Sequence, residues 1–250
     1  QETRRLEAAQ AEVRAFIPAP NAPLRALGRV NADLVGFVQA RSPQAVATLD
    51  MDATLVETTK RSALWSYKGF KAYQPLNTYW SEQGVVLHSE FRDGNVPAGH
   101  EQLRVLREAL AMLPAGVEKV RLRSDTAGYQ RELLEYCAEG ENERFGVIEF
   151  AIGADVTQEF KAAVRAVPES EWKPLLRREN GREIGPDQQW AEVVYEPKWA
   201  SHAKDNPTYR FLAVREPLRQ LDLPGVESSG VLPFPTIDLG PQQTYKLFGT

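Results

Sequence analysis

The chain is poor in several residue types that mark large function classes. It carries one cysteine, Cys137, in 250 residues. That excludes an internal disulfide framework and fits a reducing compartment, so a cytoplasmic setting is expected. Its three histidines, His88, His100 and His202, are scattered and read as surface or packing residues. No apolar run approaches the roughly 18–20 residues that cross a bilayer. The polar start Gln1-Glu-Thr-Arg-Arg-Leu-Glu7 is not a secretory signal, so no membrane partner is expected. Positive charge is not in excess either: 30 Lys and Arg stand against 34 Asp and Glu. This argues against a simple basic nucleic-acid binder, but not against an enzyme whose basic residues cluster on one face. No internal repeat is visible.

What is present is an ordinary globular composition, 42% hydrophobic and 26% charged, long enough to bury a sizeable core. The chain does not start with Met, and Tyr245–Thr250 reads as a strand in progress, so a piece of a longer protein is expected. Residues 1–17 read as a helix with Leu6, Val13 and Phe16 near one face. Pro18-Ala-Pro-Asn-Ala-Pro23 breaks it, and a second helix is predicted over 24–40. At Val46 the period becomes two: Ala47, Leu49, Met51 and Ala53 alternate with Thr48, Asp50 and Asp52. A strand from Phe70 to Trp80 and another over 85–91 predict an antiparallel hairpin around Glu82-Gln-Gly84. Leu103, Leu106, Leu110 and Leu113 then recur at helical spacing. A strand over 117–123, a helix through Leu133 and Cys137, a strand over 145–152 and a helix over 157–167 follow. The order is β-β-β-α-β-α-β-α, which predicts a mixed α/β sheet. Beyond Pro168 only strands are read, over 190–195, 209–215 and 245–248. Three segments are therefore expected: helices over 1–45, an α/β core over 46–167 and a β-rich part over 168–250.

The chemistry-bearing residues fall at two strand ends. Asp50 and Asp52 are two apart in the first strand and share a face. Asp125 stands where a later strand gives way to a helix, a position that also suits an N-cap. Carboxylates on the ends of neighbouring strands are suitable ligands for divalent cations in phosphoryl chemistry. A second group, Lys60, Arg61, Trp65, Tyr67, Lys68, Phe70 and Lys71, mixes positive charge with rings. It suits phosphate contact and base stacking, or an aromatic hairpin packed on the core with solvated lysines. Arg121 and Arg123 flank Asp125 and are read either as phosphate contacts or as solvated strand residues. Asp93-Gly94 is read as a turn, and Glu149, inside an apolar strand, as an edge-facing residue or a substitute acid.

Four stretches, Leu49-Asp-Met-Asp-Ala-Thr-Leu-Val-Glu57, Tyr67-Lys-Gly-Phe-Lys-Ala-Tyr-Gln-Pro75, Phe91-Arg-Asp-Gly-Asn95 and Leu122-Arg-Ser-Asp-Thr-Ala-Gly-Tyr129, give the chain a likeness. Together they resemble the bacterial insertion-sequence transposases of the DDE type that carry a β-rich insertion. The resemblance implies a ribonuclease-H-like core with flanking helices, and cleavage and strand transfer of DNA with Mg²⁺ or Mn²⁺. It implies Asp52 and Asp125 as the first two catalytic, metal-holding acids, and Lys60, Arg61, Trp65, Lys68, Lys71, Arg121 and Arg123 as DNA-binding candidates. The implied partners are transposon-end DNA, target DNA and a second subunit in a synaptic complex. The family's third acid, a Glu in a Tyr-x-x-Arg-x-x-x-Glu helix, has no match: Tyr209-Arg210 with Glu216 has the wrong Arg spacing and reads as a strand. Two alternatives stay open: a ribonuclease-H-like metal-dependent nuclease, and a non-catalytic DNA-binding or assembly module derived from a transposase.

Overall fold

The computed structural model describes residues 17, 19, 21–179, 182–184, 188–199, 209–217 and 243–249. The helix expected over 1–17 lies, Ile17 apart, outside them. The chain forms two compact units that part between residues 154 and 155.

The first unit begins with helix α1 (Ala22–Arg41), capped by the Asn21 side chain, which accepts from the Leu24 amide at 2.9 Å. Asn31 donates to the Val86 and Leu87 carbonyls and so ties α1 to strand β6 (Val85–Glu90). Strand β1 (Val46–Ala53) has the predicted alternation: Ala47, Leu49 and Met51 are buried, whereas Asp52 is exposed. It pairs antiparallel with β5 (Leu76–Trp80), which pairs antiparallel with β6. On its other side β1 pairs parallel with β7 (Lys119–Ser124), and β7 pairs parallel with β8 (Glu149–Gly153). The spatial order is β6-β5-β1-β7-β8. Three antiparallel strands followed by two parallel ones, with the first strand in the middle, is the ribonuclease-H-like arrangement expected above.

One face of this sheet is covered. Leu76, Thr78 and Trp80 of β5, Val120 and Leu122 of β7 and Ile152 of β8 are buried there. Helix α2 (Gln102–Met112) contributes Val105, Leu106, Ala109 and Leu110, and α3 (Arg131–Ala138) contributes Leu133, Leu134 and Cys137. Burial pushes the Cys137 thiol up to about 12, which makes it an inert packing group. The opposite face is polar and exposed, with Arg121, Arg123, Glu149 and Ala151 all open to solvent.

The region between β1 and β5 departs from expectation. The single strand predicted from Phe70 to Trp80 is two strands, β4 (Lys71–Tyr73) and β5, parted at Gln74-Pro75. Pro75 has no amide to donate to a ladder, so the pairing changes there. β4 joins β2 (Val56–Glu57) and β3 (Leu64–Trp65) in a separate three-stranded sheet, order β2-β4-β3. The run that mixes positive charge with rings is thus partly strand, with a turn over 66–70.

In the second unit α4 (Gln158–Arg165) starts at Thr157, whose hydroxyl accepts from the Phe160 amide at 3.1 Å. Phe160 stacks on Tyr195 at 4.5 Å, and Phe211 meets both rings edge-on at 5.3 and 5.0 Å. The strands β9 (Lys173–Pro174), β12 (Gln189–Val193), β13 (Phe211–Pro217) and β14 (Gln243–Gly249) run antiparallel in the order β14-β13-β12-β9. A separate two-stranded pair joins β10 (Arg177–Glu179) and β11 (Arg182–Ile184).

Candidate active site

Parallel pairing of β1 with β7 decides where the acids stand. The register runs to Met51 opposite Ser124. Asp52, still within β1, and Asp125, the first residue past β7, come next on their chains, and paired strands in any sheet lie about 4.8 Å apart. Both are exposed. Asp52 faces Asn77 of β5 across the antiparallel side and accepts from the Thr54 hydroxyl at 2.9 Å.

Asp125 caps a short 3₁₀ turn, Thr126–Gly128, by accepting from the Ala127 amide at 3.0 Å. The turn is pressed against the end of β7: a Cβ on Gly128 would come within 2.6 Å of the Ser124 hydroxyl and 2.7 Å of its Cβ. Ser124 in turn donates to the Met51 carbonyl at 3.2 Å. Glycine at 128 therefore lets the turn close, and the closed turn holds Asp125 level with the end of β1.

Asp50 has a different role from Asp52, although both lie on one face. It accepts two hydrogen bonds from Arg123, at 2.5 and 2.7 Å, and one from Ser81 at 2.8 Å. The Arg123 guanidinium is held more firmly charged, first by its hydrogen bonds to Asp50, against a smaller opposing effect of burial. Glu149 is exposed and bonded to Lys119 and to Arg121, the latter at 3.0 Å, and these partners hold its carboxyl below the usual range. Arg121 and Arg123 are thus both engaged in surface ion pairs. Such pairs are weak and open readily when a better anion arrives. Burial acts to raise the Glu82 carboxyl, but its hydrogen bonds together, two of them from Thr48, keep it below its ordinary value.

The other basic candidates sit on the β2-β4-β3 sheet, which the chain enters directly after Asp52. Trp65 and Tyr67 are 63% and 77% exposed, so neither packs into the core. Lys68 lies 5.8 Å from the Tyr67 ring centre, and Lys60 the same distance from that of Tyr73. Lys71 donates to the Arg61 carbonyl at 3.2 Å. Trp65 and Lys71 thus lie in strands of this small sheet, and Lys60, Arg61 and Lys68 in the turns that join its strands. Exposed rings and cations together have the chemistry that suits base stacking and phosphate contact.

His88 pairs with Glu108 at 3.1 Å and His100 lies 4.0 Å from Glu101. His202 lies outside the described residues. Among the described residues no three of His, Cys, Asp and Glu converge where a metal ion could sit. Glu216 belongs to strand β13, as its surroundings in sequence predicted, and not to a helix.

Two features escaped the sequence reading. The Asp50–Arg123 fork follows from strand register, which pairs Asp50 with Arg123 directly. Burial of Arg92 and Asp93, at 0% and 1% exposure, left no signal in a segment that reads as a polar turn.

The model of the family described as Transposase DDE domain group 1 matches residues 5–204. No curated protein matches the chain. Among solved structures, the piggyBac transposase synaptic complex with hairpin DNA is similar at 14% identity and a TM-score of 0.35, covering 92% of this chain and 40% of that one. The Drosophila P element transposase strand transfer complex is similar at 15% identity and a TM-score of 0.25, covering 61% of this chain and 36% of that one. The chain thus spans less than half the length of either. With the family model matching most of its residues, this chain belongs to the DDE transposase domain family, group 1.

Proposed function

We propose that the protein carries part or all of a DNA transposase activity, in which transposon ends are nicked and the freed 3′-hydroxyl is joined to target DNA. The observation that supports this reading is the parallel register of β1 and β7, which runs to Met51 opposite Ser124, with Asp52 and Asp125 the next residue on each chain. Two exposed carboxylates are hard oxygen donors of the kind Mg²⁺ accepts together with water and substrate phosphate, so the residues fit Mg²⁺ or Mn²⁺. A divalent cation at such a site supplies charge neutralisation at the phosphodiester and activation of a water or 3′-hydroxyl.

The chain's own groups do the rest. Thr54 orients Asp52, and the Ala127 amide orients Asp125. Arg123 neutralises Asp50, which keeps a third negative charge from repelling the incoming phosphates. Lys60, Arg61, Lys68 and Lys71 grip the DNA backbone, and Trp65 offers a ring for stacking beside the cut. Arg121 exchanges Glu149 for phosphate at the rim, and Arg123 offers its positive charge there while it stays bonded to Asp50. Assembly of two copies around paired DNA ends completes the proposal.

The test is a strand-transfer assay with the protein, Mg²⁺ or Mn²⁺, a labelled duplex from the end of its own element and a plasmid target. Joined product that is lost in Asp52→Asn and in Asp125→Asn is expected. Hydrolysis without joined product would favour a metal-dependent nuclease of the same fold. A second reading, a non-catalytic DNA-binding or assembly module, is favoured by the lack of a third converging carboxylate among the described residues. Mn²⁺ binding that is indifferent to both substitutions would support that reading instead.

A further inference from the structure

The segment Phe91-Arg-Asp-Gly-Asn95 is unusual for a surface turn, because its polar residues are inside. Arg92 is fully buried, and its Nε donates to Glu90 at 2.7 Å. Glu90 also accepts from Arg104 at 2.5 Å, and Arg104 bonds Glu101 and Glu108, each at 2.8 Å. This chain of charges fastens the turn to α2. The remaining Arg92 nitrogens, Nη1 and Nη2, are buried without a protein partner, as are Gln74 Oε1, Asp93 Oδ1 and Gln102 Oε1. Gln74 lies directly across from Arg92, its backbone N–H donating to the Arg92 backbone carbonyl at 2.9 Å. A buried and incompletely paired guanidinium lowers stability. What Arg92 contributes must therefore be sought in what the turn holds.

It holds the β2-β4-β3 sheet. A Cβ on Gly94 would come within 2.9 Å of the Ala72 carbonyl carbon, nearer still to its oxygen, and 3.1 Å from the Leu64 carbonyl oxygen. Ala72 is the middle of β4, opposite Leu64 of β3 and Glu57 of β2. Gly94 therefore lies under the centre of the sheet, backbone against backbone. Beside it, Tyr73 forms a bridge with Asp93, and its ring meets the Phe91 ring at 4.7 Å. Lys60 is poised over that same Tyr73 ring. The contacts of β4 with the turn thus reach one of the cations directly.

We propose that the Arg92–Asn95 turn is the socket that fixes the β2-β4-β3 sheet, with Gly94 and Arg92 as positioning residues for the cationic and aromatic side chains beside Asp52. The purpose of the socket rests on the DNA reading given above, but its mechanics do not. Gly94 permits contact that any side chain would wedge apart. Arg92, tied through Glu90 to α2, keeps the turn from yielding. The short strands, two and three residues long, have too little pairing of their own to hold a fixed pose.

The experiment compares hydrogen exchange in the full chain, wild type and Gly94→Ala, over residues 56–73 and over 119–124 in the same molecules. Exchange about tenfold faster at 56–73, with 119–124 unchanged, is expected. No change at 56–73, or an equal rise in both segments, overturns the proposal. Should Gly94→Ala fail to fold, Phe91→Leu, which removes only the ring contact at a partly exposed site, is expected to speed exchange at 56–73 by a smaller factor; no local change overturns the proposal there too. In parallel, anisotropy titrations of a random-sequence duplex are made at several salt concentrations. Gly94→Ala is expected to weaken binding and to flatten the salt dependence, and the same is expected of Lys68→Ala and Lys71→Ala. If the lysine variants bind like wild type, the DNA reading fails while the exchange data still decide the socket. If the lysine variants weaken binding and Gly94→Ala does not, the positioning role is wrong.

Discussion

Asp50 and Arg123 stand opposite one another in the parallel register of β1 and β7, and two hydrogen bonds of 2.5 and 2.7 Å close them into a fork. The fork separates two aspartates that the strand itself places on one face. Asp50 is committed to a cation of its own chain, and Asp52, two residues on, is not. Arg123 is 54% exposed and Asp50 33%, so solvent screens the pair, and a double-mutant cycle should give about 0.5–1 kcal/mol.

Metal binding should follow the same division. Asp52→Asn and Asp125→Asn are each expected to weaken Mn²⁺ binding by about tenfold or more, since loss even of a ligand's supporting partner costs about 10–100-fold. Asp50→Asn should leave it within a factor of about two. Electron paramagnetic titration of Mn²⁺ measures all three, and an Asp50 effect as large as that of Asp52 would reverse the assignment.

Asp93 predicts a pH dependence of stability. Burial raises its carboxyl from 3.8 to about 6. Between those values the folded chain binds more protons than the unfolded one, so stability falls as pH rises through the window and stays lower above it. The loss at neutral pH is on the order of 2–3 kcal/mol. Urea unfolding at pH 4 and pH 7.5 should show Asp93→Asn losing most of this dependence. A pH response unchanged by the substitution would refute the prediction.

Glu149 restrains Lys119 and Arg121 on the open face of the sheet. Glu149→Gln should release both cations. Affinity for duplex DNA is then expected to rise severalfold at low salt, with a steeper dependence on salt concentration by about one unit or less. Unaltered affinity at every salt concentration would mean that DNA does not reach this face.

The second unit depends on its ring cluster. Phe160 is fully buried between Tyr195 and Phe211. Phe160→Ala is expected to cost about 3–5 kcal/mol, from lost burial and the cavity left behind. Thermal unfolding should show the loss, and a change below 1 kcal/mol would show that the cluster does not hold the unit together.

Much of this was legible in the chain alone. The alternation of Ala47, Leu49 and Met51 specified which face of β1 is buried, because a strand has no other way to hide every second residue. Leu106 and Leu110 marked the buried stripe of α2, and Asp125 marked a strand end and a cap, although what it caps is a 3₁₀ turn and not the helix that was read there. These are local patterns, and local physics decides them. The β2-β4-β3 sheet was not legible, since strands of two and three residues are too short to show a period. The choice between Asp50 and Asp52 depended on a partner 73 residues away. The burial of Arg92 depended on α2 and on a glycine that lets a second sheet rest on the turn. The sequence by itself determined the order of the longer strands and helices of the α/β core, the candidate acids at the ends of β1 and β7 and the family likeness. Only the tertiary structure decided which acid is neutralised and where the basic sheet is anchored. Both are set by strand register and by contact between segments distant in sequence, and neither leaves a mark in the local pattern of residues.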